Sequence, residues 1–181
     1  MNHNHQKILV IHPTDHTTDF LSVIYKNINA MVIRQPIQNS RLRKLIKDAD
    51  RVIMLGHGTE NGMGSVDRGM INFIIDSTTV QFLREKKDNI FIWCHADDFV
   101  NKYKLTGFTT GMFISETDEA YMYGVEATYD EIYESNKRFS EVVRNYVHKS
   151  GEDLKTIVKE DYDLSSDVAK YNHERIQYLK G

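Results

Sequence analysis

The chain has 181 residues, 40% hydrophobic and 27% charged, with a formal net charge of -3. That length suits one domain with a sizeable core and is short for two, and the ordinary composition argues against disorder. Charges of both signs mixed along the chain argue against a nucleic-acid interface, no apolar run reaches the roughly 18 residues of a membrane span, and a lone cysteine excludes an intrachain disulfide and suits a reducing compartment.

In chain order, Met1 to Lys7 shows no signal-peptide pattern, so a cytoplasmic protein is expected. Lys7-Ile8-Leu9-Val10-Ile11 reads as a strand covered on both faces, ended by His12-Pro13-Thr14-Asp15 because proline cannot donate to a ladder. Thr17 to Asn27 is expected to be helical, with Phe20, Leu21, Ile24 and Tyr25 on one face. Ala30 to Ile33 is a second strand, and Ser40 is a good N-cap for a helix over Arg41 to Lys47. Arg51 to Leu55 is a third buried strand, opening directly into Gly56-His57-Gly58. Thr59 to Gly69 reads as an irregular glycine-rich loop, Asn72 to Asp76 as a fourth strand and Thr78 to Lys87 as a helix. Asn89 to Cys94 is the next buried strand, followed by a short helix around Asp97 to Tyr103 and a last strand over Gly107 to Ser115. Three helices close the chain, near Tyr129–His148, Glu152–Glu160 and Ser166–Leu179. Buried strands separated by helices require crossovers, so the expected fold is a single α/β domain over residues 1–181. It is a three-layer sandwich with a mainly parallel central sheet, and the helical segment from about 129 to 181 packs on it.

In such sheets ligands gather beyond the carboxyl ends of the strands. His57 and Cys94 both fall there. A histidine between glycines sits where the backbone can bend sharply; the same tripeptide also serves as a plain turn with the histidine at an exposed corner. Gly58 could present an unobstructed N–H to an oxyanion. A thiolate nucleophile needs a proton acceptor or a cation nearby, and a lone cysteine without one is ordinarily core. His57 is the better partner for Cys94 than His95, because neighbouring residues on an extended strand point to opposite faces. His57, Cys94, His95, Asp97 and Asp98 lack a recognised metal spacing, as do His3, His5, His12 and His16, so no metal is expected. Gly62-Met63-Gly64-Ser65 matches neither a P-loop nor a dinucleotide fingerprint, and no cofactor is expected.

A strand ending in Leu55-Gly56-His57-Gly58 followed by a strand ending in Phe91-Ile92-Trp93-Cys94-His95 resembles the caspase-like cysteine peptidases. Those enzymes share a His-Gly strand end and a later strand end bearing the nucleophilic cysteine. The resemblance covers roughly residues 50 to 116 and implies a caspase-like fold. It implies His57 as base, Cys94 as nucleophile, the Gly58 and Cys94 N–H groups as oxyanion hole, and a peptide or protein as substrate. Metacaspase-type sites place small residues and glycine after the cysteine and aspartate two before it; here Ala96-Asp97 and Ile92 stand there. The chain also looks like a group of bacterial proteins with similar GHG, IWC and TGMFISE segments, for which no activity is established. In a peptidase, Asp97, Asp98, Glu116 and Asp118 would favour a basic substrate residue, and the same acids equally make a solvated rim; Thr109 and Thr110 could line the cleft or equally be ordinary strand residues. The alternative is a catalytically degenerate relative that binds a ligand or a protein partner.

Overall fold

The computed structural model describes residues 6–67 and 70–181. His3, His5 and Gly69, which the sequence reading touched on, lie outside them. The elements run β1 (Ile8–Ile11), a 3-10 helix (Asp19–Tyr25), β2 (Ala30–Ile33), α1 (Asn39–Asp48) and β3 (Arg51–Leu55). Then come β4 (His57–Thr59), β5 (Gly62–Asp67), β6 (Met70–Ile75), α2 (Val80–Leu83), β7 (Asn89–Ile92), α3 (Ala96–Tyr103) and β8 (Gly107–Thr110). The chain closes with α4 (Thr117–Met122), α5 (Tyr129–Tyr146), α6 (Gly151–Asp161), α7 (Asp167–Glu174) and β9 (Ile176–Leu179).

The main sheet has the order β2-β1-β3-β7-β8-β9, parallel throughout except for antiparallel β9. Its strands alternate strictly. Val10, Ile53, Leu55, Ile90 and Ile92 join one core with the 3-10 helix and α5 to α7. Leu9, Ile11, Val52, Met54, Phe91 and Trp93 join the other with α1 to α3. Both faces are thus covered, which explains why these strands are continuous apolar runs and makes the architecture a three-layer α/β sandwich. Long α5 starts at a capping box between Thr128 and Glu131 and buries Ile132, Phe139, Val142 and Val143.

Four expectations are corrected. Strands β4, β5 and β6 form an antiparallel three-stranded meander separate from the main sheet, where the expectation is an irregular loop over Thr59 to Gly69 and one strand over Asn72 to Asp76. The last segment is helical only to Glu174; Ile176 to Leu179 instead pairs with β8, Thr110 opposite Ile176, as the sheet's antiparallel edge. The helix in Thr78 to Lys87 also shrinks to Val80–Leu83, and the strand from Gly107 ends at Thr110.

Candidate active site

Strands β3 and β7 are hydrogen-bonded neighbours, with Leu55 opposite Ile92 and the Gly56 N–H donating to Ile92 O at 3.1 Å. Neither His57 nor Cys94 lies within these strands: His57 opens β4 after the bend at Gly56, and Cys94 sits in the turn that follows β7. Both line one narrow cavity of about 20 Å³, together with Gly56, Trp93, Phe113 and Ser115. His57 also faces an outer cavity of about 510 Å³ beside Asp15, Thr17, Val66 and Glu116. A third, of about 540 Å³, shares Thr17, Ser115 and Glu116 with these and is walled by Phe20, Tyr129 and Tyr133.

The loop after β1 supplies further groups that no sequence motif marks. Asp15 Oδ1 accepts from the Thr17 N–H at 3.0 Å and from its hydroxyl at 2.8 Å. Thr17 Oγ1 lies 2.6 Å from His57 Nε2, and Asp15 Oδ2 lies 3.7 Å from the same nitrogen. Burial pushes the Asp15 carboxyl up, but the two Thr17 donors and the adjacent His57 outweigh it and hold the group below the usual carboxylate range. His12, at the end of β1, is wholly buried against Tyr25 and Thr18; burial, then Arg34, pushes it down to about 4.

Around Cys94 the picture differs from that of an activated thiol. Its Sγ faces acceptors: Phe113 O at 3.6 Å and Glu119 Oε1 at 3.9 Å. No hydrogen bond joins it to His57 among the described residues. Burial, followed by the Glu119 charge, pushes the thiol up to about 12, so at rest it is protonated. Glu119 is also the clasp of the strap that follows β8: Oε2 accepts from Ser115 N at 2.7 Å, Ser115 Oγ at 3.0 Å and Glu116 N at 3.2 Å. Wholly buried Asn172 holds the same strap, accepting from Ile114 N at 2.7 Å and donating to Ile114 O at 2.9 Å. The residue after Cys94, His95, has φ 65°, a left-handed conformation unusual for a side-chain-bearing residue, and turns the chain sharply into α3.

Of the other predicted positions, Gly58 has a packing reason to be glycine: a Cβ there would lie 2.2 Å from Trp93 Cδ1. Glu116 faces His57 across the outer cavity and is pushed up by burial and then by Glu119. Asp97 and Asp98 line neither the cavity shared by His57 and Cys94 nor the outer one beside His57. Asp97 turns to Gln177 Nε2 at 3.1 Å, while Asp98 pairs with His95 at 3.2 Å on the exposed side of α3. Thr109 and Thr110 are buried strand residues, not cleft walls; the Thr110 hydroxyl donates to Trp93 O at 3.1 Å. Asp118 is a first-turn residue of α4 and lines none of these cavities.

Among the described residues no cluster of three potential metal ligands occurs, and no helix is long and apolar enough to cross a membrane. Compared with protein-family models, curated proteins and solved structures, the chain matches none of them.

Proposed function

We propose that this chain is a cysteine hydrolase of the caspase-like peptidase type, acting through His57 and Cys94. The observation that carries the reading is their convergence: the chain leaving the adjacent parallel strands β3 and β7 brings both residues to one cavity at the carboxyl edge of the sheet. In this reading His57 takes the Cys94 proton and the thiolate attacks the scissile carbonyl carbon. The C–S bond forms, the C–N bond breaks, and the leaving amine takes the proton back from His57. Water then hydrolyses the thioester. The Gly58 and Cys94 N–H groups serve the oxyanion, and Glu116 on the outer cavity suits a cationic side chain. The expected substrate is a peptide or protein. Incubation with a peptide library, read by mass spectrometry, tests it. Cleavage that disappears in both Cys94→Ala and His57→Ala supports the reading, and cleavage that survives either change removes it.

A second reading has its own observation. The protonated thiol, flanked by two acceptors in a cavity of about 20 Å³, suits a relative that keeps the fold and binds a ligand or partner without catalysis. No cleavage by wild type, with unreactive Cys94 at every pH, favours it.

A further inference from the structure

We propose that Asp15 and Thr17 form a positioning relay that locks His57 as its Nε2–H tautomer and leaves Nδ1 as the proton acceptor for Cys94. This rests on the reading of Cys94 and His57 as a catalytic pair. An ionised carboxylate only accepts hydrogen bonds, and a threonine hydroxyl has one proton to give. The Thr17 proton goes to Asp15 Oδ1 at 2.8 Å, a bond reinforced by the Thr17 N–H on the same oxygen at 3.0 Å. At 2.6 Å from His57 Nε2 the Thr17 oxygen then has only lone pairs to offer, so Nε2 must carry the hydrogen. The opposite polarity would aim a bare nitrogen lone pair at Asp15 Oδ2, 3.7 Å away, with only 19% and 15% of the two side chains exposed to solvent. Asp15, held below the usual carboxylate range, stays ionised at neutral pH and keeps the direction fixed.

Two more bonds stiffen the loop: the Thr18 N–H and hydroxyl both donate to Asp15 O, at 3.3 and 3.4 Å. Proton transfer from Sγ to Nδ1 leaves a thiolate and an imidazolium, whose charge Asp15 offsets.

Two-bond 15N–1H spectra of the histidine rings test the tautomer near pH 7.5, and iodoacetamide alkylation of Cys94 tests its consequence. Wild type should show the Nε2–H form. Asp15→Asn and Thr17→Val should show the Nδ1–H form mixed in and slow alkylation by roughly tenfold, a part of the 10²–10⁴ that a positioned base contributes. Thr17→Ser, which keeps the hydroxyl, should restore both. An Nδ1–H ring in wild type, or wild-type spectra in both variants, overturns the relay. His57→Ala separates the two ideas: an unchanged alkylation rate there overturns the catalytic pair, whatever the tautomer.

Discussion

Substituting Glu119→Gln should activate the Cys94 thiol. Glu119 Oε1 lies 3.9 Å from Sγ, so a thiolate there faces a like charge. Two unit charges about 4 Å apart interact by about 1 kcal/mol in bulk water and about 4 kcal/mol at the effective dielectric of a protein surface. Removing that repulsion therefore raises the thiolate population about 5- to 1000-fold at a given pH. The substitution is chemically narrow. The glutamine carbonyl can still accept from Ser115 N, Ser115 Oγ and Glu116 N, so the strap and the start of α4 keep their clasp. Burial remains, and it is the larger cause of the raised thiol, so the variant should still titrate above an ordinary cysteine. Alkylation rates by iodoacetamide between pH 8 and 10 report a single site, because the chain holds one cysteine. A rise of at least about fivefold with an unchanged melting temperature is expected. An equal or slower rate would refute the electrostatic account of the resting thiol.

Three further outcomes follow from the packing. Gly58→Ala places a Cβ 2.2 Å from Trp93 Cδ1 and 2.5 Å from Gly62 O. It should cost about 2 kcal/mol or more; an unchanged urea midpoint would contradict the close approach. Asn172→Ala leaves both polar groups of Ile114 unpaired in the core and should cost about 2–4 kcal/mol in the same assay, against no loss if the strap holds itself. His12 titrates near 4 when folded and near 6.5 when unfolded, so the unfolded chain binds the extra proton between those values. Its contribution is whole above about pH 6.5 and falls by up to about 3 kcal/mol toward pH 4. His12→Gln should flatten that part of the stability profile, and an identical profile in the variant would exclude His12 as its source.

Much of the fold is legible in the sequence where burial leaves a local signature. Ile8 to Ile11, Arg51 to Leu55 and Asn89 to Ile92 are apolar without interruption because helices cover both sheet faces, and their ends locate His57 and Cys94. The meander hid behind its glycines. Gly62 marks a close backbone crossing rather than a loose loop, since a Cβ there would meet Ile75 O at 1.9 Å. Ile176 to Leu179 holds strand-favouring Ile176 and Tyr178 but is only four residues long, and pairing with β8 fixes its conformation. The groups that tune the site are silent. Thr17 meets His57 across 40 residues of sequence, and Glu119 meets Cys94 across 25. One usable signal existed: Asp15-His16-Thr17 follows β1, which ends at the same edge, and an aspartate two before a threonine favours a side-chain-closed turn.

The most direct test of the account is labelling by a pool of peptidyl acyloxymethyl ketones, which needs both a thiolate and a base acting on a bound peptide. One adduct, on Cys94, is expected in wild type, forming faster in Glu119→Gln and lost in His57→Ala. Equal labelling in His57→Ala, or none in wild type and Glu119→Gln while iodoacetamide still modifies the thiol, would contradict it.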